Sequence, residues 1–180
     1  TPNAFVLVTF FSPSGMKHYH KRAHSVDLAL YLPFDTKANA QLFLKKAKPK
    51  LAVFVKYEFW PNFILECGRS DIKLVSISTL LRKNQIYFNW YGGFFASVLQ
   101  SIDHFFVQNQ HSKTLLESIG VKQIEISGDT RYDKVLQHKN SSTSTDSILT
   151  QFTSERPILI AGSSWKEEEE IIRLFLKLNL

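Results

Sequence analysis

Short apolar runs alternate along the chain with segments whose apolar residues recur every three or four positions. Runs such as Leu51–Val55 are apolar throughout, which is typical of strands buried on both faces. The pattern predicts strands at 4–9, 25–31, 51–55, 74–78, 105–108, 124–127 and 157–161, and helices at 36–46, 61–69, 93–101, 112–119 and 166–178. Strand followed by helix, repeated, predicts an α/β fold with a parallel sheet covered by helices on both faces.

A polar stretch at 139–147, rich in serine and threonine, interrupts this rhythm. Such a composition predicts a linker or an exposed mobile loop, with a domain boundary near Asn140. We therefore expect one domain over 1–140, then a linker and the start of a second domain over 141–180. Because the chain lacks an initial Met and stops within a helical pattern, we expect both ends to be cuts through a longer protein.

Composition narrows the class of protein. Hydrophobic residues make up 44% and charged residues 21%, which is ordinary for a globular domain, and we expect the isolated chain to be soluble. Cys67 is the single cysteine, which excludes an internal disulfide and predicts a packed thiol. The net charge of +6 fits either acidic partners or surface solubility, and no basic run or RNA-binding signature predicts nucleic acid as a partner.

Polar residues follow the predicted strands, where open α/β sheets bind their ligands. Ser12, Ser14 and Gly15 follow the first strand, and Arg82 follows the fourth. Because the carboxyl ends of parallel strands meet at one edge, the sequence predicts a polar cleft there.

Glu58 lies among Tyr57, Phe59 and Trp60. A carboxylate among apolar groups has a raised pKa unless a cation pairs with it, so Glu58 could act as an acid or stabilise a developing positive charge. The alternative is structural: Glu58 precedes Pro61, which favours the first turn of a helix that a carboxylate would cap.

Arg131 follows a predicted strand and a Gly-Asp turn. Its guanidinium could bind a carboxylate or phosphate with two hydrogen bonds. Asp129 and Asp133 flank it, so a purely structural ion pair is equally compatible with the sequence.

Gly162, Ser163 and Ser164 join a predicted strand to a helix, a place where backbone N–H groups receive anions. Ser164 with Glu167 also fits the capping-box pattern, which needs no ligand. His18, His20 and His24 lack a nearby carboxylate or cysteine, so no metal site is predicted. No nucleotide-binding glycine motif and no hydrolase serine motif is present.

Five stretches, taken together, carry a family resemblance. They are Thr-Phe-Phe-Ser-Pro-Ser-Gly at 9–15, Tyr-Leu-Pro-Phe-Asp at 31–35, Val-Lys-Tyr-Glu-Phe-Trp-Pro-Asn at 55–62, Ser-Gly-Asp-Thr-Arg-Tyr-Asp at 127–133 and Ala-Gly-Ser-Ser at 161–164. Their order and spacing resemble the 3-deoxy-D-manno-octulosonic acid (Kdo) transferases over essentially the whole chain.

This resemblance implies a GT-B fold, in which two Rossmann-like domains face each other across a cleft. It implies transfer of Kdo from CMP-Kdo to lipid IVA, in lipopolysaccharide biosynthesis, with inversion and without a metal or cofactor. Transfer would occur at the cytoplasmic face of the bacterial inner membrane.

The resemblance also assigns expected roles to residues. Glu58 and Arg131 match positions that stabilise the transition state. Gly162, Ser163, Ser164 and Glu168 match the donor side, and Ser12, Ser14, Gly15 and Arg82 match the acceptor side or cleft. The general base and the main CMP loops would lie outside the chain, so we expect the isolated chain to be inactive.

Two other readings stay open. One is a different GT-B nucleotide-sugar enzyme, such as an epimerase or another glycosyltransferase. The other is a non-catalytic α/β sugar-binding module. A nucleotide-binding measurement distinguishes these two alternatives, because the nucleotide-sugar enzyme needs a nucleotide-activated sugar and the sugar-binding module does not.

Overall fold

The computed structural model describes residues 4–19, 25–141 and 159–179 of the 180-residue chain. Its strands are β1 (Leu7–Phe10), β2 (Leu28–Tyr31), β3 (Leu51–Val55), β4 (Lys73–Thr79), β5 (His104–Val107) and β6 (Ile124–Ile126). Its helices are α1 (Pro13–Tyr19), α2 (Lys37–Ala47), α3 (Pro61–Arg69), α4 (Gly93–Gln100), α5 (Gln110–Ser118), α6 (Thr130–Ser141) and α7 (Lys166–Asn179), with a 3-10 turn at Ile86–Phe88.

All strand pairs in the described residues are parallel. β1 pairs with β2 in a two-stranded sheet, and β3, β4, β5 and β6 form a four-stranded sheet in that order. Parallel strands joined by helices confirm the predicted α/β class. The register aligns Val55 with Ile77 and Val107 with Ile126, so the carboxyl ends of the four strands lie at one edge.

The core lies between the four-stranded sheet and the helices that connect its strands. Leu74 and Phe105 of the sheet are fully buried, and Ile64, Cys67 and Leu116 reach the same cluster from α3 and α5. The predicted packed thiol at Cys67 is thus confirmed, since this residue is 1% exposed. Alternate residues of β4 and β5 are buried against the helices: the β5 positions are Phe105 and Val107, whereas β4 buries Leu74 together with the hydroxyls of Ser76 and Ser78.

Local signals in the sequence explain where several helices begin. The Thr36 hydroxyl accepts a hydrogen bond from the Asn39 amide at the start of α2, and the Asn109 side chain accepts one from the Ser112 amide at the start of α5. Each side chain satisfies an amide that the helix itself leaves without a partner. Helix α3 begins at Pro61, whose missing N–H costs nothing in the first turn.

Three segments differ from the sequence prediction. Helix α1 was not predicted, and it forms because the Ser12 hydroxyl accepts a hydrogen bond from the Gly15 amide and Pro13 occupies the first helical position. Helix α6 continues to Ser141, so the first three residues of the predicted linker are helical, while 142–147 lie outside the described residues.

The predicted strand at 157–161 is wrong in its described part, since residues 159–161 have no regular structure and 157–158 lie outside the described residues. The physical reason is the lack of a neighbour, because no other strand occurs among the described residues that follow α6. An isolated strand has no ladder to satisfy its backbone.

The chain divides into two compact units, Thr1–Tyr132 and Asp133–Leu180. Both sheets belong to the first unit. The second contains α7, whose acidic residues lie in the first turn and whose lysine lies in the last. The domain boundary expected near Asn140 stays a prediction. Among the described residues, no helix combines the length and the apolar character that crossing a membrane requires.

Candidate functional site at the strand-end edge

Glu58 lies in the loop that joins β3 to α3, at the carboxyl edge of the sheet. Its neighbours on both sides are fixed: the Lys56 amide donates to Ile77 O at 2.9 Å, and the Phe59 ring is 8% exposed. Phe59 packs edge-to-face against Phe105 at 6.1 Å between ring centroids. Glu58 itself is exposed, and within the described part of the chain its carboxylate has no hydrogen-bond or ion-pair partner.

A different carboxylate caps helix α3. Asp35 accepts hydrogen bonds from the backbone amides of Asn62 and Phe63 at 3.1–3.2 Å, and the Asn62 side chain donates to the Asp35 carbonyl at 2.9 Å. The alternative in which Glu58 caps this helix is therefore wrong. Asp35 takes that role because the loop after β2 passes the start of α3, a contact that lies 27 residues apart in sequence.

Arg131 stands in the first turn of α6 and is already paired. Its guanidinium donates to Asp129 Oδ2 from Nε at 2.7 Å and from Nη2, and its backbone amide donates to Asp129 Oδ1 at 3.0 Å. These hydrogen bonds lower the pKa of the Asp129 carboxyl and raise the pKa of Arg131. The structural ion pair expected as the alternative is present, while the Arg131 side chain stays 69% exposed.

The two candidate charges follow the two outer strands, β3 and β6, of the four-stranded sheet. The positive charge of Lys56, two residues before Glu58, makes a minor contribution to the lowered pKa of Asp129. The Lys56 backbone also has a positive φ of 64°, a left-handed conformation that residues other than glycine rarely adopt. At this edge the Glu58 carboxylate therefore has no partner among the described residues, whereas the Arg131 guanidinium is bound by the Asp129 carboxylate.

A buried polar network at the end of β4 was not predicted. The Ser76 and Thr79 hydroxyls lie 2.6 Å apart, the Ser112 hydroxyl accepts the Leu81 amide at 2.9 Å, and Gln108 Nε2 donates to the Ser78 carbonyl at 2.9 Å. The network fixes the chain just before Arg82. Its signal in the sequence was the cluster of hydroxyls inside an otherwise apolar strand.

Arg82 begins the loop that follows this network. Its amide donates to Gln85 Oε1 at 2.9 Å, which closes a turn, and its side chain is exposed. No ion pair of the Arg82 guanidinium occurs among the residues that the structure describes. The expected role of Arg82 at the acceptor side or cleft stays a prediction.

The start of α1 contains Ser12, Ser14 and Gly15, whose contacts are mostly with one another and with the neighbouring chain. The two serine hydroxyls are 3.1 Å apart, and a methyl group at Gly15 would approach the Phe10 ring to 2.7 Å. Phe11, directly before Ser12, stacks on Trp60 of the Glu58 loop at 4.6 Å between ring centroids. This contact brings the start of α1 beside the Glu58 loop, although the two sheets are separate.

Gly162, Ser163 and Ser164 precede α7 in the second unit. Glu168 Oε2 accepts the Trp165 amide at 2.8 Å, and the Ser164 hydroxyl donates to Glu169 at 3.0 Å. The predicted capping box of Ser164 and Glu167 is therefore wrong, because the helix begins one residue later. Glu168 accepts the amide of the N-cap residue Trp165, which has no hydroxyl to complete the box. A donor-binding role for Gly162, Ser163, Ser164 and Glu168 stays a prediction.

Of the three histidines near the first helix, His20 and His24 lie outside the described residues.

Comparison with known proteins identifies a family. Residues 1–134 match the family model described as 3-deoxy-D-manno-octulosonic-acid transferase (kdotransferase). That match includes every strand of both sheets and the loops that carry Glu58 and Arg131.

Curated relatives match over nearly the whole chain at low identity. A 3-deoxy-D-manno-octulosonic acid transferase of Haemophilus influenzae is 26% identical over 176 residues, which cover 95% of this chain and 40% of the relative. One of Rickettsia typhi is 23% identical over 175 residues, with 95% and 37% covered. A bifunctional glycosyltransferase/methyltransferase of Fusobacterium nucleatum is 24% identical over 177 residues, with 93% and 27% covered. The chain therefore spans well under half the length of these relatives.

Proposed function

The chain belongs to the 3-deoxy-D-manno-octulosonic acid transferase family, and from this premise we propose that it forms the acceptor-side domain of an enzyme that transfers Kdo from CMP-Kdo to lipid IVA. The reaction would be inverting and metal-independent, and it would proceed at the cytoplasmic face of the bacterial inner membrane. The enzyme would have the GT-B architecture, with the donor-side domain beginning after the first unit of this chain.

The observation that supports the proposal is the exposed carboxylate of Glu58, which has no partner among the described residues. Phe59 and Trp60 hold its backbone at the strand-end edge through aromatic contacts, while its carboxylate has no partner among the described residues. Since Asp35 already caps α3, Glu58 has no visible structural task there. A carboxylate at this edge, free of any structural partner among the described residues, can stabilise the positive charge that builds on the sugar as CMP departs.

Arg131 complements Glu58 in the proposed step. Asp129 accepts from two of the donor nitrogens and fixes the guanidinium at the start of α6, and the side chain remains largely exposed. A guanidinium has five N–H donors in a planar fork, so donors remain for the phosphate of CMP or the carboxylate of Kdo. Asp129 would then act as a positioning residue.

The remaining residues would bind the two substrates. Ser12, Ser14, Gly15 and Arg82 would line the acceptor side, where the Phe11–Trp60 contact and the β4 network fix the backbone. Gly162, Ser163, Ser164 and Glu168 would contribute to the donor side. A base is still required to activate the acceptor hydroxyl, and it would come from outside this chain.

The test is substitution in the full-length enzyme, with kcat, KM for CMP-Kdo and Tm measured together. We expect Glu58→Gln and Arg131→Ala each to lower kcat about 10² to 10³-fold, since each removes one preorganised charge. The matched control is Glu125→Gln on β6, an exposed carboxylate of the same sheet that does not follow a strand end. It should leave kcat and Tm near their original values.

Two outcomes would contradict the proposal. A nearly normal kcat for Glu58→Gln with a lowered Tm would show that the carboxylate is structural. Transfer from a UDP-sugar, with no response to CMP-Kdo, would favour another nucleotide-sugar enzyme instead.

A further inference from the structure

An exposed aromatic surface lies on the loop between β4 and α4. We define the aromatic loop as residues 82–94. Its Trp90 side chain is 95% exposed, the highest value among the large hydrophobic side chains described, and Tyr91 and Phe94 are 62% and 57% exposed. Contiguous apolar groups on a surface mark sites of interaction, and three large rings in five residues form such a group.

The loop backbone is held in one conformation. The Gly92 amide donates to Asn89 O at 2.8 Å, the Asn89 amide donates to Ile86 O at 3.3 Å, and the Gln85 amide donates to Arg82 O at 3.1 Å. A methyl group at Gly92 would lie 1.7 Å from Ile86 O, so only glycine permits this close approach. The rings are therefore displayed by a preformed turn.

The other side of the loop is packed against the protein. Tyr87 contacts Phe59 edge-to-face at 5.9 Å and Phe95 at 6.4 Å, and Tyr87 and Phe88 border the hydrophobic core. Burial also raises the pKa of the Tyr87 hydroxyl. The loop is thus anchored on one side by aromatic packing and presents a second set of aromatic rings to solvent.

The charged residues of the aromatic loop have one sign. Arg82 and Lys83 are exposed at the start of the loop, and neither forms an ion pair within the described part of the chain. No aspartate or glutamate occurs from residue 72 to residue 102. Nothing in this segment would therefore repel an anionic surface.

We propose that the aromatic loop docks on an anionic lipid bilayer, with Trp90, Tyr91 and Phe94 at the level of the headgroups. Tryptophan and tyrosine favour that region because their rings are apolar while their N–H and O–H groups stay hydrated. Arg82 and Lys83 add attraction to lipid phosphates, worth about 1 kcal/mol for each charge near such a surface. A rigid loop loses little conformational entropy on binding.

A second copy of the chain fits this surface less well. Three aromatic side chains bury at most about 150–250 Å² each, and Tyr91 and Phe94 are already partly covered. Their sum stays below the roughly 800 Å² per partner of a stable interface. Two like positive charges would also face each other across a two-fold contact.

The position of the loop has a consequence for the candidate site. Phe59 follows Glu58 directly and contacts Tyr87, so docking would hold the strand-end edge close to the lipid. This consequence rests on the proposed function, because it matters only for an acceptor that is itself a lipid. Membrane binding by the loop does not depend on it, and the experiment measures binding without any activity.

The experiment is flotation of the 180-residue chain with vesicles of phosphatidylcholine, with and without phosphatidylglycerol. We expect binding only when phosphatidylglycerol is present, and a loss of roughly tenfold or more in Trp90→Ala, since one large ring leaves the lipid. Arg82→Gln with Lys83→Gln should lower binding to anionic vesicles at least roughly tenfold. The matched control is Trp165→Ala, which removes another tryptophan that is 75% exposed.

A tryptophan quencher attached to the lipid chains gives an independent readout. Brominated lipid should quench the original chain and the Trp165→Ala variant, and should quench Trp90→Ala much less. Equal flotation of Trp90→Ala and Trp165→Ala at unchanged Tm would overturn the proposal. So would a dimer in gel filtration that Trp90→Ala dissociates, if neither protein floats with vesicles.

Discussion

The β3–α3 region, residues 56–69, and the β6–α6 region, residues 127–141, are built alike and hold their charges differently. Each joins a parallel strand to a helix at the carboxyl edge of the sheet and carries one candidate charged residue. In the first region Glu58 has no partner among the described residues, and Asp35 caps the helix from another loop. In the second, Asp129 binds Arg131 from two residues away.

The two regions differ in whether distant or nearby residues stabilise the start of the helix. Helix α3 is fixed by the core through Ile64 and Cys67 and by a distant cap, so its loop can leave Glu58 exposed without a structural role. Helix α6 begins with an exposed turn that its own ion pair closes. A charge with no structural task is the stronger catalytic candidate, and stability measurements can test whether the two regions differ in this way.

The largest expected effect on stability comes from Cys67 on α3. Burial, with a smaller contribution from Glu66, raises the pKa of this thiol from 9.0 to about 11. The folded state therefore favours the protonated thiol, and its contribution is fully present below pH 9 and lost as the pH rises towards 11. At about 1.4 kcal/mol per pH unit, the free energy of unfolding should fall by about 2 kcal/mol in this window.

Urea unfolding from pH 8 to pH 11 measures this loss. Cys67→Ala removes the thiol, so its profile should decline less than that of the original chain, while lysine and tyrosine titrations cancel in the comparison. Parallel profiles for the two proteins would show that α3 is not packed as tightly as its burial indicates.

The second effect concerns the cap of α3. Asp35→Ala removes the acceptor for the Asn62 and Phe63 amides, and the loss of such a cap costs about 1–2 kcal/mol. For a chain of this length, where each kcal/mol shifts Tm by about 2–4 °C, we expect Tm to fall by roughly 2–8 °C. Glu58→Ala is the matched control, because it removes a carboxylate from the loop directly before α3 that has no partner among the described residues, and its Tm should be nearly unchanged. A comparable loss in both variants would show that Glu58 also supports α3.

Much of the fold was predictable because its signals are local. Helix α3 was predicted with its observed bounds, since Pro61 sets the start and apolar residues recur with helical spacing. The bounds of the strand Leu51–Val55 were also predicted as observed. Its predicted burial on both faces is wrong, because Leu51, Val53 and Val55 on one face are 53%, 47% and 52% exposed. The Asp129–Arg131 pair was among the alternatives because its members are two residues apart.

The parts that were missed depend on distant contacts or on weak periodicity. The Asp35 cap joins residues 27 apart, and no pattern near Pro61 announces it. Helix α1 has only seven residues and contains Gly15, which disfavours helices; it forms because Ser12 caps it, Pro13 occupies its first position and Gly15 lies close to the Phe10 ring. The exposure of Trp90 depends on the turn around Gly92, which composition alone does not reveal.

The smallest expected effect comes from the exposed pair of Asp129 and Arg131. Arg131→Gln removes the partner that lowers the pKa of Asp129, so the stability that the pair supplies should disappear. For a carboxyl with a lowered pKa, this contribution is present above its ordinary pKa of 3.8 and is lost as the pH falls through the folded-state value. Because the Arg131 side chain is 69% exposed, we expect only a small difference in Tm at neutral pH, which added salt should reduce further.

Thermal unfolding of the original chain and Arg131→Gln between pH 2 and pH 7 checks this prediction. The two curves should be slightly apart at neutral pH and should converge at the acid end, as Asp129 takes up its proton. Lys113→Gln is the matched control, because it breaks an exposed pair with Glu117 on α5 that lies away from the edge. A large Tm difference in Arg131→Gln alone would mean that this turn supports the fold as strongly as the core supports α3, and the contrast between the two regions would fail.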